Sequence, residues 1–159
     1  MIREFDNKDV NDVIDLAMSH CEENGTGFGK YDEHELITLI RKIKIAPDFH
    51  GLVYVENGKV IGYAACQSQW NPWNRYKEGI LQYFYIHPSF RNGFKSKSLL
   101  EQCQRWFEEQ ECDYFIATTM AFNNNFEVDD INEEFLTKAE GFFERQMTNA
   151  GSYFVKGLN

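Results

Sequence analysis

The chemistry-bearing spacing of this chain lies between Leu81 and Leu100, LQYFYIHPSFRNGFKSKSLL. An apolar, aromatic run enters His87-Pro88, and a short turn follows with Arg91, Asn92 and Gly93. Phe94, Lys95 and Ser96 lead into an amphipathic helical pattern that begins near Lys95. A strand that passes through a basic, glycine-containing turn into a helix start makes an anion site. The first amides of a helix have no partner within it, and the helix dipole favours negative charge there. The turn is therefore read as a cradle for a pyrophosphate. An ordinary strand-to-helix connection with surface Arg and Lys is the alternative, because such turns are common.

The elements that must position this turn follow from periodicity and punctuation. Ile2 to Phe5 alternates as a first strand, and Asp6 or Asn7 can cap a helix over Lys8 to Glu23, with Val10, Val13, Ile14 and Ala17 at helical spacing. Asn24-Gly25-Thr26-Gly27 ends that helix. Asp32 to Ile45 predicts a second helix, stopped by Pro47. Gly51 to Val55 and Val60 to Ser68 flank Glu56-Asn57-Gly58-Lys59, a strong hairpin signal because Asn-Gly accepts the positive φ of a type I′ turn. A polar, aromatic loop spans Gln69 to Tyr76, and Ile80 to Ile86 reads as a central strand, apolar on both faces. The helix after the Arg91 turn carries Leu99, Leu100, Cys103, Trp106 and Phe107 on one face. Asp113 to Thr118 predicts a strand, Asn123 to Asp130 a loop, and Glu133 to Ala139 a short helix ending at Gly141. Phe142 to Met147 and Tyr153 to Leu158 predict two final strands. A hairpin beside βαβ units implies a mixed sheet with helices on its faces.

Composition bounds what such a sheet can do. The 159 residues fit one domain, spanning 1–159, with a core rich in rings from 14 Phe and 8 Tyr. The net charge of −9 argues against a general nucleic-acid binder and permits a cationic acceptor such as an amine or a basic peptide, although simple solubility explains the charge better than steering does. No run reaches the length of a membrane helix, and the charged start MIREFDNKD shows no export signal. Cys21, Cys66, Cys103 and Cys112 form no Cys-x-x-Cys pair and the histidines are scattered, so no zinc site is expected and reduced thiols in the cytoplasm are.

The element order and three motifs resemble the GNAT superfamily of acyl-CoA-dependent N-acyltransferases. Phe84-Tyr85-Ile86-His87-Pro88 resembles the end of that family's fourth strand, and Arg91 to Ser96 falls where it carries Arg/Gln-x-x-Gly-x-Gly/Ala. Gly141-Phe142-Phe143-Glu144 resembles the Gly-Phe that opens its sixth strand, and Tyr153-Phe154-Val155-Lys156 resembles its last. The resemblance implies an α/β chain of the α+β kind, with a mixed, mostly antiparallel sheet of about seven strands, splayed central strands and about four flanking helices. It implies that acetyl-CoA or coenzyme A adds its amide-rich arm beside Phe84, Tyr85 and Ile86, as peptides add to a sheet edge, with its pyrophosphate on the amides of Arg91, Asn92, Gly93, Phe94, Lys95 and Ser96. The reaction implied is acetyl transfer from the thioester to a primary amine of a small molecule, a peptide N-terminus or a lysine.

The sequence departs from this pattern in places that matter. Phe94 occupies the motif's first glycine position and Ser96 its second small position. Small residues there let a phosphate approach the backbone, so a ring either crowds the site, forces a shift in which Gly93 takes over, or folds into the core. Lys95, Lys97 and Ser98 offer compensating charge and hydroxyl contacts. The positions where the family places a base on its fourth strand are Gln82 and Ile80, neither of which takes a proton. Glu78, one alternation further back, is either a base acting through water or an exposed carboxylate at the strand start. Thr137 stands where the family's acid Tyr would be, which leaves Glu78, Gln82 and Tyr85 as the catalytic candidates. Trp70 and Trp73 are candidates for an acceptor wall, for core caps or for a protein interface. His87, before a proline at a strand end, reads as turn packing. A second class of function stands beside the enzyme: a GNAT fold kept as a binding or assembly module, alone or as a homo-oligomer, as in structural or accessory proteins of bacteriophages.

Overall fold

The computed structural model describes residues 1–24, 33–117 and 133–148. The contacts group the chain into two compact units, Met1–Ala17 with Asp32–Thr118, and Met18–Tyr31 with Thr119–Asn159.

The first unit holds the sheet. Strand β1 spans Ile2–Glu4, helix α1 begins at Val10 and runs to Asn24, and helix α2 spans Glu33–Ile45. Strands β2 (Phe49–Glu56), β3 (Lys59–Trp70) and β4 (Lys77–Ile86) follow, then helix α3 (Gly93–Glu109) and strand β5 (Tyr114–Ala117). The sheet order is β1-β2-β3-β4-β5, antiparallel throughout except for the parallel β4–β5 pair. Five strands lie in the described residues. Tyr153 to Leu158, expected as the last strand, and Asn123 to Asp130, expected as a loop, fall outside them.

The hairpin turns where the Asn-Gly pair demands it. Asn57 and Gly58 both adopt positive φ, at 51° and 80°, as a two-residue primed turn requires. The chain entering α1 is fixed by a capping box. The Asp6 side chain accepts from the Asp9 amide, and Asp9 Oδ2 accepts from the Asp6 amide at 2.9 Å. Asp9 is also held in a bidentate pair with Arg3 at 2.6 and 2.7 Å. That guanidinium holds the Asp9 carboxyl below the usual carboxylate range.

Helix α3 covers one face of the sheet with Leu99, Leu100, Cys103, Trp106 and Phe107, all buried. Trp106 stacks on His50 with ring centroids 5.2 Å apart, and Phe107 stacks on Phe115 at 5.0 Å. Phe107 also lies over Gly79, where an added Cβ would come within 2.5 Å of its ring. Helix α2 lies on the other face, with the Ile43 side chain pressed against Gly51. Cys66 and Cys103 meet in the buried layer between β3 and α3, and all the cysteines are free thiols.

In the second unit, helix α4 spans Glu133–Glu144. This corrects the expected break at Gly141 and the expected strand from Phe142. Gly141 lies inside the helix, and the Phe143 carbonyl accepts from the amides of Gln146 and Met147 in its closing turn. A glycine lowers helix stability without forbidding it, and no proline stands nearby to end the run.

Candidate functional site

The turn after β4 is built from its own residues. The His87 amide donates to the Ile61 carbonyl at 2.9 Å and continues the β3–β4 ladder, while His87 Nδ1 accepts from the Ser89 amide at 3.3 Å. Pro88–Phe90 makes one 3-10 turn. Arg91 then folds back: its Nε donates to the Ile86 carbonyl at 2.7 Å, and its guanidinium carbon sits 5.2 Å from the centre of the Tyr85 ring. Tyr85 is buried against Tyr63, its cross-strand partner. Arg91 thus braces the end of β4 and fixes where α3 begins.

Asn92 caps α3. Its backbone is extended, its Oδ1 accepts from the Lys95 amide at 2.8 Å, and its carbonyl accepts from the Ser96 amide at 3.3 Å. The amides of Gly93 and Phe94 have no acceptor among the described residues. A Cβ added at Gly93 would meet nothing within 4 Å, so the mouth of the helix is open. Phe94 does not fill it from within: the side chain is 76 % exposed, which overturns the expectation that it folds into the core. The helix therefore begins at Gly93, earlier than the predicted Lys95.

The charges around this mouth divide in role. Lys95 turns away to Glu56 in the hairpin at 2.6 Å, with its ammonium 5.6 Å from the Phe90 ring centre. It ties α3 to the β2–β3 turn. Lys97 is exposed and, among the described residues, has a single long 3.9 Å approach to Glu101. No Asp or Glu occurs between His87 and Leu100, so this segment is locally cationic in an acidic protein.

Strand β4 changes character at Gln82. Ala65 pairs with Tyr83 but Cys66 pairs with Leu81, so Gln82 is an extra residue, a bulge. The described β4–β5 register runs from Glu78↔Tyr114 to Leu81↔Ala117, and β4 continues past it to Ile86. A bulge bends its strand and increases local twist. Gln82 Nε2 donates to Gln67 Oε1 at 2.7 Å, and both amides are on the sheet face away from α3.

Glu78 lies on the same face and is not the exposed carboxylate of one reading: it is 8 % exposed. Its Oε1 accepts from Gln69 Nε2 at 2.7 Å, and its Oε2 accepts from Asn71 Nδ2 at 3.1 Å and from the Tyr114 hydroxyl at 3.0 Å. The Gln69 hydrogen bond above all, with those of Tyr114 and Asn71, holds its pKa below the usual value against the opposing effect of burial. A carboxylate stabilised in its ionised form is a weak base. What it does instead is hold a loop. Asn71 bridges Glu78 and Tyr114, accepts from the Trp73 amide through Oδ1 at 2.9 Å, and donates its own amide to the Tyr76 carbonyl at 2.8 Å. Trp70 at the end of β3 and Trp73 on the loop so fixed are 69 % and 92 % exposed, so neither caps the core.

Two groups of candidates therefore separate along β4. Phe84, Tyr85 and Ile86 join Arg91, Asn92, Gly93, Phe94, Lys95 and Ser96 at one end. Glu78, Trp70 and Trp73 gather at the other, roughly 26 Å away along the strand at about 3.3 Å per residue. Gln82 sits between them at the bulge. Thr137 is exposed on α4. Gln67, Gln69, Asn71 and Tyr114 escaped the sequence reading, because they meet Glu78 and Gln82 only through strand register.

Comparison with known proteins agrees with this architecture. A model of the acetyltransferase (GNAT) family matches residues 14–126, and the chain belongs to that family. Among solved structures, a ribosomal-protein-alanine N-acetyltransferase from Brucella melitensis biovar Abortus 2308 is similar with a TM-score of 0.68 and 14% identity, over 99% of this chain and 98% of that one. An aminoglycoside 6'-N-acetyltransferase from Acinetobacter haemolyticus superposes with a TM-score of 0.70 and 14% identity, over 100% and 99%. An aminoglycoside N-acetyltransferase in complex with CoA reaches 0.76 at 15% identity, over 100% and 93%. At these identities the likeness is one of fold. No curated protein matches the sequence. Among the described residues no helix is long and apolar enough to cross a membrane, and no group of His, Cys, Asp or Glu is placed to hold a metal.

Proposed function

We propose that the protein is an acetyl-CoA-dependent N-acetyltransferase acting on a primary amine. The observation that carries this reading is the open start of α3, where Asn92 caps the Lys95 amide and leaves those of Gly93 and Phe94 to an outside anion. Arg91 braces the turn. Coenzyme A fits these residues: its diphosphate on the Gly93 and Phe94 amides, its amide-rich arm along β4 from Ile86 towards Gln82. When bound, it supplies an activated acyl thioester.

The chain's own contribution is to bind and orient. The Gln82 bulge turns the strand at the point where the acceptor must arrive, and the Gln67–Gln82 amide pair offers hydrogen-bonding groups on that face. Glu78, Ile80 and Gln82 include no free base, so the amine must arrive neutral or lose its proton to water. The work of the site is then mostly positioning, which alone can supply several powers of ten in rate. Trp70 and Trp73 line an approach on which a cationic or aliphatic acceptor can pack, and the net charge of −9 favours a cation. The free thiols support a reducing, cytoplasmic setting.

The test is calorimetric titration with CoA and acetyl-CoA, followed by thiol-release assays with a polyamine, an N-terminal peptide, a lysine peptide and an aminoglycoside. Micromolar cofactor binding with release on one acceptor class is expected. No binding at millimolar ligand removes the reading. The exposed Trp70 and Trp73, with the missing base, favour a second reading: a binding or assembly module, alone or as a homo-oligomer. Cofactor binding without turnover on any amine would support it.

A further inference from the structure

Every large apolar side chain of α3 is buried except one. Leu99, Leu100, Cys103, Trp106 and Phe107 face the sheet, while Phe94 stands in solvent at 76 % exposure. Its helical neighbours at i+3 and i+4 are Lys97 and Ser98, on the polar side of the helix. Helical side chains lean towards the N-terminus, so the Phe94 ring stands beside the mouth of α3, and Lys97 lies one turn on with its ammonium 3.9 Å from Glu101. Among the described residues Phe94 has no ring partner, and Lys97 has a single long contact, with Glu101. An exposed ring forgoes the stabilisation that burial of a Phe gives.

We infer that Phe94 and Lys97 form a subsite for the 3'-phosphoadenosine end of coenzyme A, the ring stacking on adenine and the ammonium pairing with the 3'-phosphate. The inference rests on the coenzyme reading above. In coenzyme A the diphosphate is joined directly to the ribose, so an anion held on the Gly93 and Phe94 amides places the base one sugar away. A planar base offers a π-face to any aromatic ring, and stacking of this kind is tolerant of exact ring choice. The phosphate on the same ribose needs a cation that is not already spent. Lys95 is paired with Glu56 and Arg91 is folded back on Ile86, which leaves Lys97 for it among the cations of the turn. The ring at the motif's glycine position thus becomes a contact to the cofactor instead of an obstruction.

The test compares CoA, 3'-dephospho-CoA and 4'-phosphopantetheine by calorimetry on the wild-type protein and on Phe94→Ala, Phe94→Trp and Lys97→Ala. Both side chains are exposed, so the melting temperatures should match the wild type. Phe94→Ala should weaken CoA and dephospho-CoA about tenfold and leave phosphopantetheine unchanged, with Phe94→Trp restoring the affinity. Lys97→Ala should weaken CoA by roughly three-fold, spare dephospho-CoA, and lose its effect in high salt. Equal weakening of all three ligands by Phe94→Ala would mean that the residue shapes the turn, and would overturn the inference. So would unchanged CoA affinity in Phe94→Ala. A wild-type protein that binds none of the ligands overturns the coenzyme reading itself, a result distinct from the loss of the subsite alone.

Discussion

A carboxylate that accepts hydrogen bonds from three side chains has little left to offer a proton. Glu78 is in that position, with Gln69, Asn71 and Tyr114 around it and a pKa held low by them. Glu78→Gln should therefore leave the pH dependence of turnover unchanged, the rate still following deprotonation of the acceptor amine. The same change turns an acceptor into a donor facing other donors, and should cost about 1–3 kcal/mol of stability in urea unfolding. A pH–rate profile that loses its acidic limb in this variant would return Glu78 to the role of base. Residues of the turn were legible in the sequence because they act locally: Arg91, Asn92 and Gly93 brace, cap and open a helix within a few positions of one another. The partners of Glu78 were not, because Gln69, Asn71 and Tyr114 come from separate stretches and meet only once the strands have paired.

At the scale of elements, the β3–β4 pair carries both the bulge and the approach to the turn. Gly62 lies opposite Ile86, and an added Cβ there would fall 2.8 Å from the Tyr85 carbonyl and 3.3 Å from the Ile86 Cα. These are backbone atoms, so the strands must move apart. Gly62→Ala should destabilise the protein by about 1–3 kcal/mol and weaken CoA binding, because Ile86 is the residue that Arg91 grips. If cofactor affinity is unchanged in a folded Gly62→Ala protein, the end of β4 does not set the turn. The hairpin was readable from Asn57-Gly58, and α3 from its apolar face. The Gln82 bulge was not, since a single extra residue leaves both neighbouring runs as strand-like as before. Gly141 misled for a related reason: a glycine after a helical run marks a C-terminus often enough, yet here the intrahelical hydrogen bonds continue through it.

Across the whole molecule, acid should act in two stages. The first comes from His50, stacked on Trp106, where burial lowers its pKa below 6.5 against the opposing pull of Glu4 and Glu109. Its folded value is the lower one, so the unfolded chain binds more protons between that value and about pH 6.5, and stability falls as pH drops through the window. The second comes from Asp9 and Glu78, both held below the usual carboxylate range. Their contribution is complete above about pH 5 and is lost as pH falls through their folded values. Urea midpoints measured from pH 8 to pH 3 should therefore be level above pH 7, decline first below about 6.5, and decline again below about 4. His50→Phe keeps a ring for Trp106 and removes the titration, so it should flatten the first decline and leave the second. Asp9→Asn should reduce the second and leave the first, while lowering stability at pH 7 by about 2 kcal/mol through loss of the Arg3 pair. A first decline of equal size in His50→Phe would assign it to another group and show that the Trp106 layer admits a charged imidazole without cost.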